Sequence, residues 1–274
     1  MAITKIDYPE LAVKAAEMVL LELTRILGEY RDNIVVIGGM VPRYLIPAAE
    51  EPHIGTTDVD LALDHRRFAE EGYRTIHELL ISHGYEQNER QPFIYRRQIT
   101  LAGNKIVVQV DLLSGEYGGT GRNRRTQKVQ DARPRKARGV DLVFNHLESI
   151  EITGELPGGG KDKAIIKFSG IVPFIVMKAM AMRDRLKEKD SYDIYYCLQY
   201  YPGGPQKIAE LIAPIKNNRL VREALAILDE KFESPDHAGP VHIADFMELT
   251  DPEVREQVQR DAFERVRFIL DVGL

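Results

Sequence analysis

The run Asn33 to Leu45, NIVVIGGMVPRYL, constrains the architecture of this chain more than any other stretch. Ile34 to Ile37 is β-branched and too short for a helix core, so it reads as a buried strand, and it stops at Gly38 and Gly39. A short helix is expected next. Thr57 to Leu63 again reads as a strand, within TTDVDLAL, but it carries two carboxylates.

Residues two apart on a strand share a face, with Cα atoms about 6.5 Å apart, so Asp58 and Asp60 look the same way. Two bare carboxylates brought to about 4 Å would repel by roughly 4 kcal/mol at an effective dielectric near 20. A divalent cation reverses that cost, and hard oxygen ligands suit Mg2+ or Mn2+ beside substrate phosphates. Asp111 ends the apolar run KIVVQVDLL and would lie on a neighbouring strand if its hairpin joins the same sheet. Three such carboxylates are compatible with a two-metal site, Asp111 serving as ligand or as general base. The alternative reading is that these acids cap or turn strand ends, as Asp64 before HRRF is expected to cap a helix.

Glycine has no Cβ, so the backbone at Gly38 and Gly39 can approach a phosphate that the following helix amides would hold. Alone the pair reads as a tight turn. With Asp-x-Asp on a second strand, it describes a nucleotide held by backbone amides and metal together.

The rest of the chain is organised around these strands. Apolar spacing from Leu11 to Leu27 predicts an amphipathic helix over Pro9 to Tyr30, and a second is expected over Arg66 to His83. Pro92–Thr100 and Lys105–Leu113 read as a hairpin through AGN. The glycine-rich block from Gly115 reads as a loop, and its run Arg122–Arg138 carries Arg122, Arg124, Arg125, Lys128, Arg133, Arg135, Lys136 and Arg138 against one acid, Asp131. A basic run of this kind either holds an RNA backbone or is simply solvated. A second hairpin is expected over Leu147–Thr153 and Ala164–Phe168, around GELPGGGKDK. That segment fails as a phosphate loop, because Gly160 intervenes before Lys161 and no Ser or Thr follows. From Ile171 onward the pattern is helical, with breaks at YPGGP and ESPDHAGP.

Composition bounds the remaining choices. A hydrophobic content of 44% and a charged content of 29% are those of an ordinary globular chain, and the net charge of −5 argues against an overall polycation. The single cysteine, Cys197, has no internal disulfide partner, which fits a reducing cytoplasm. The amino-terminal stretch lacks the apolar span of a signal peptide or membrane anchor. No histidine pair has metal-ligand spacing, and no nucleophile elbow suggests a hydrolase.

VIGGMVPRYL, then TTDVDLAL, then VVQVDLL resembles the nucleotidyltransferase superfamily. KAMAMRDRLKEKDSYDIYYCL, Lys178 to Leu198, is similar to a segment of its AbiEii/AbiGii toxin branch, with Lys178, Ala181, Arg185, Lys189, Asp190 and Asp193 in the matching places. The family often has Thr or Ser where this chain has Met40, and Arg where it has Ile54. The resemblance implies transfer of a nucleoside monophosphate from a nucleoside triphosphate, in relatives to the acceptor end of tRNA, by the toxin of a toxin–antitoxin pair. It casts Asp58 and Asp60 as magnesium ligands and Lys178 as a phosphate contact. Asp190 or Asp193 would be a second catalytic acid, and Thr57 and Arg185 would join the nucleotide-side residues.

Read physically, Lys178 in IVPFIVMKAMAM is apolar on nearly every side, so its ammonium must snorkel outward or meet an anion, for which a triphosphate would serve. Arg185, seven residues on, shares its face. Asp190 also reads as a helix N-cap with Asp193 in the third position. The tyrosines from Tyr192 to Tyr201 read as packing.

The expected molecule is an α/β (α+β) protein with a nucleotidyltransferase-like mixed sheet flanked by helices over residues 1–170 and a helical domain over 171–274. The expected catalytic set is Asp58, Asp60, Asp111, Lys178 and Asp193. Gly38, Gly39, Thr57, Lys178, Arg185 and Asp190 would hold the nucleotide, and Asp58, Asp60 and Asp111 the metal. RNA bound through Arg122–Arg138 and an antitoxin protein are the expected partners, with no membrane. The rival readings are an adenylyltransferase acting on a small molecule or protein, and a catalytically silent nucleotide-binding regulator.

Overall fold

The computed structural model describes residues 4–67, 75–116, 126, 129–185 and 187–273. The protein is a mixed α/β chain forming two compact units. One contains Pro9–Val41 and Gly55–Gly170; the other contains Met1–Tyr8, Pro42–Ile54 and Ile171–Leu274. Two segments encoded before residue 55 thus group with the carboxyl-terminal helices.

In the first unit, β1 (Ile34–Ile37), β2 (Asp58–Leu63), β3 (Tyr85–Gln87), β4 (Ile94–Leu101), β5 (Asn104–Ser114), β6 (Arg135–Lys136), β7 (Leu147–Glu155) and β8 (Lys161–Ser169) build one mixed sheet. The order is β3-β4-β5-β2-β1-β8-β7, with β6 beside β5. β2 runs antiparallel to β1 and parallel to β5. The expected hairpins form: Ala102 and Gly103 take φ of 50° and 78° between β4 and β5, the positive values of a tight two-residue turn. Gly159 and Gly160, both at φ 86°, turn β7 into β8, which disposes of the phosphate-loop reading.

Helix α1 (Glu10–Ile26) begins one residue after Pro9 and buries Val13, Ala16, Leu20 and Leu23. Its Glu22 reaches the sheet, accepting from Arg97 Nε at 2.9 Å, Arg97 Nη2 at 2.8 Å and the Tyr85 hydroxyl at 2.7 Å. Tyr85 and Arg97 are register partners, so α1 lies on their face of the sheet. Strand alternation puts Val108, Val110, Val59 and Leu61 on that same face, and all four are buried. Everything of opposite parity on β2, β4 and β5 faces away from α1.

Three expectations change. Residues 65–67 form a turn, 68–74 lie outside the described residues, and the helix expected from Arg66 is α3 (Ile76–Ser82). Thr75 caps it by accepting from Glu78 N at 3.2 Å, while Glu78 accepts from Thr75 N at 3.0 Å. Asp64 therefore closes a turn rather than capping a helix, accepting from Arg66 N at 3.2 Å and Arg66 Nε at 3.1 Å. β3, β6 and α4 (Val140–Val143) occupy stretches expected as loop.

In the basic run, Arg122, Arg124, Arg125 and Lys128 lie outside the described residues, whereas Arg135 and Lys136 form β6 and Arg138 pairs with Glu116 at 3.5 Å.

The second unit is helical: α5 (Ile171–Asp184), α6 (Glu188–Tyr200), α7 (Gly204–Ile212), α8 (Arg219–Lys231), α9 (Ala238–Phe246) and α10 (Pro252–Gly273). α2 (Val41–Leu45) spans the point where the chain returns to it after β1. Being apolar on nearly all sides, α5 is surrounded, burying residues from Ile171 to Met182. Among the described residues no helix is long and apolar enough to cross a membrane.

Candidate functional site

Asp58 and Asp60 share the face of β2 turned away from α1, alternating with buried Val59 and Leu61. The register puts Asp111 directly beside Asp60, and Gln109 directly beside Asp58. Both carboxylates of β2 and that of β5 thus stand on one sheet face, half-buried, while their strand neighbours are in the core. Asp58 Oδ1 accepts from the hydroxyl of Thr56, which is buried. Thr57, the nucleotide-side residue expected from the sequence, is half-buried immediately before β2.

On the other side of Asp60 runs β1, with Ile37 as its register partner, and Gly38 follows at φ 73°. A β-carbon at Gly38 would overlap Oδ2 of Asp60 and come within 2.8 Å of its carboxyl carbon. The first glycine of the pair is therefore required twice, by its left-handed backbone and by the acid packed against it. Gly39 is buried in the 3-10 turn that leads into α2.

Among the described residues no group of three His, Cys, Asp or Glu side chains is gathered closely enough to hold a metal ion unaided. The donor set nevertheless suits magnesium, which takes one or two carboxylates and completes its octahedron with water and substrate phosphates. Asp58 and Asp60 supply hard oxygens on one face, and the absence of a side chain at Gly38 lets the Asp60 carboxylate lie directly against the backbone of the turn.

The remaining predicted residues belong to the helical unit and come together there. Lys178 Nζ pairs with Asp190 Oδ1 at 2.9 Å and with Asp193 Oδ2 at 2.6 Å. Arg185 holds Asp190 in a two-pronged contact, Nε to Oδ2 at 2.9 Å and Nη2 to Oδ1 at 3.1 Å. Lys189 Nζ reaches Asp193 Oδ1 at 2.7 Å, and His53 Nε2 reaches the same oxygen at 2.9 Å. The anion that Lys178 requires is thus supplied from α6. Burial opposes the charge on Lys178, but Asp190 and Asp193 outweigh it and raise its pKa above the ordinary lysine value. Burial likewise works against Asp193, and Lys178 followed by Lys189 overcomes it, holding the carboxyl well below its usual range. Burial pushes His53 down to about 4 against the pull of Asp193, so at neutral pH its ring is uncharged and donates Nε2–H.

Lys187, not Asp190, occupies the cap position of α6, and Asp190 sits in the first turn, where the helix dipole favours a carboxylate. Tyr192 and Tyr196 pack on the His53 ring at centroid distances of 5.6 and 4.7 Å, and the Tyr196 hydroxyl donates to Glu51 O at 2.8 Å. The tyrosine row is packing, as expected.

Sequence reasoning did not single out Thr56, Gln109, His53 or the pairing role of Lys189. Gln109 had a signal, lying two residues before Asp111 on the same strand face. His53 had none, since 140 positions separate it from Asp193.

No known protein family, curated protein or solved structure matches this chain.

Proposed function

We propose that the chain is a magnesium-dependent nucleotidyltransferase that moves a nucleoside monophosphate from a nucleoside triphosphate to an acceptor hydroxyl. The observation that carries this reading is the packing of Asp60 against the side-chain-free Gly38, with Asp58 on the same face and Asp111 beside it in register. A metal-bound triphosphate needs hard oxygen ligands beside a backbone turn, and these four residues bring carboxylates against the glycine turn that follows β1.

In this reading Asp58 and Asp60 hold the metal, and Gly38 and Gly39 admit the phosphates. Magnesium, when bound, supplies neutralisation of phosphate oxygen charge. The acceptor oxygen attacks the α-phosphorus and a new O–P bond forms, while the bond between the α-phosphorus and the bridging oxygen breaks. Pyrophosphate leaves with the electron pair, and Asp111 accepts the hydroxyl proton or serves as a further ligand. Positioning and charge complementarity dominate such chemistry. In the helical unit, Lys178, Arg185 and Lys189 contact two carboxylates, Asp190 and Asp193, and the half-exposed guanidinium of Arg185 suits a phosphate contact.

The family resemblance adds the tRNA 3′ end as acceptor and a toxin role with an antitoxin partner, and the lone Cys197 fits a cytoplasmic setting. Incubating the protein with each labelled triphosphate, with and without total tRNA, tests the reading. Label on RNA supports the tRNA acceptor, label on protein or small molecule moves the acceptor class, and no transfer under any metal or nucleotide overturns the enzyme.

A further inference from the structure

We propose that Gln109 is a positioning residue for the carboxylate site, fixing Asp111 and completing a two-by-two grid with Asp58, Asp60 and Asp111. This inference rests on the metal-dependent reading above and adds a residue that the sequence pattern leaves out. β2 and β5 run parallel with Asp58 opposite Gln109 and Asp60 opposite Asp111. Neighbours across the pair lie about 4.8 Å apart, and neighbours along each strand about 6.6 Å apart. Three corners of the grid are carboxylates and the fourth is an amide.

That amide donates Nε2–H to Asp111 Oδ1 at 2.8 Å. The opposite amide orientation would set a carbonyl oxygen against a carboxylate oxygen, so the donor role is dictated by the partner. A neutral donor is the group the position needs. A fourth carboxylate would add repulsion to the grid, and a cation would occupy the charge that a metal is to neutralise. A full cation does stand one strand further out: Arg96 on β4 is the register partner of Gln109 and is exposed. Gln109 thus lies between Arg96 and Asp58 in a single row across three strands, while holding one oxygen of Asp111 in place.

Mn2+ titration of the intact chain, with and without a non-hydrolysable nucleoside triphosphate and followed by electron paramagnetic resonance, tests this directly. Asp58→Asn reports on the underlying metal site, Gln109→Leu and Gln109→Asn on the positioning amide, and Arg96→Leu on the row beyond it. Removing an outer partner of a metal-binding carboxylate typically costs about 10–100-fold in metal affinity. Gln109→Leu is therefore expected to weaken Mn2+ by about tenfold with an unchanged melting temperature. Gln109→Asn, whose shorter amide falls away from Asp111, is expected to do the same, and Arg96→Leu to bind as tightly as the parent. In nucleotide transfer, raised Mg2+ should restore the rate of Gln109→Leu while its KM for triphosphate stays put, a rescue that general destabilisation would not show. Full Mn2+ affinity in both Gln109 variants, alongside loss in Asp58→Asn, overturns the role of Gln109 alone. Absence of Mn2+ binding by the parent, or equal binding by Asp58→Asn, overturns the metal site and this inference together.

Discussion

Oδ2 of Asp60 fills the space that a side chain on residue 38 would occupy, across the antiparallel pair of β1 and β2. Gly38→Ala must push the carboxylate aside and hold a left-handed φ of 73°. The backbone cost is about 1–2 kcal/mol. We expect a fall of a few degrees in Tm, measured calorimetrically, and a loss of nucleotide transfer well beyond what the lost folded fraction explains.

Asp58→Asn separates stability from activity. It removes one of two like charges on the same face of β2, so without metal the variant should be as stable as the parent or more stable by up to about 1 kcal/mol in urea titration. Transfer activity should fall by about 10³-fold, the scale for loss of a group that stabilises developing charge. A catalytically silent protein would instead keep its biological effect in this variant.

The buried ring of His53 makes stability depend on pH. Its pKa is about 4 in the folded chain against 6.5 as a model value, so the unfolded chain binds the extra proton first. The stabilisation is fully present above pH 6.5 and is lost as pH falls towards 4, by on the order of 3 kcal/mol across that window. Below it, the depressed carboxyl of Asp193 adds a further acid loss. His53→Gln should flatten the slope of urea stability between pH 6.5 and 4 without abolishing folding at pH 8. An unchanged slope would show that His53 is not the titrating group.

Lys178→Met leaves Asp190 to Arg185, and Asp193 to Lys189 and His53, so the two carboxylates lose their shared cation. Breaking a buried pair in this way typically costs about 3–5 kcal/mol, and the remaining partners place this variant near the lower end. Adding Asp193→Asn removes one of the stranded charges. The double variant should therefore be more stable than the sum of the single changes by about 1 kcal/mol or more.

Much of this fold is legible in local sequence because its central strands announce themselves. Ile34–Ile37 is a β-branched run ended by glycine, and the carboxylates of DVD alternate with apolar residues that the sheet buries. β3 and β6 stay hidden because three and two residues are too few to show a period. Apolar spacing alone puts the start of the helix ending at Ser82 too early, although Thr75 and Glu78 carry the cap signal that marks its true start. The partners of Lys178 lie one helix further on, so only the turn between α5 and α6 could reveal that the lysine is satisfied within the chain. His53 is out of reach of any local pattern, because its role exists only once a distant segment lies against α6.

That distant segment has a consequence for dissection of the molecule. Pro42–Ile54 belongs with the helices yet is encoded between two strands, so a clone beginning at Ile171 produces the bundle without its inserted peptide. Asp193 would then face two lysines with no imidazole beside it, and Tyr192 and Tyr196 would lose the ring they pack against. Supplying residues 42–54 in trans should restore the imidazole and its ring contacts, whereas the Tyr8 ring, which packs against Phe246 and Lys189, would have to come from the unit's other distant segment, Met1–Tyr8.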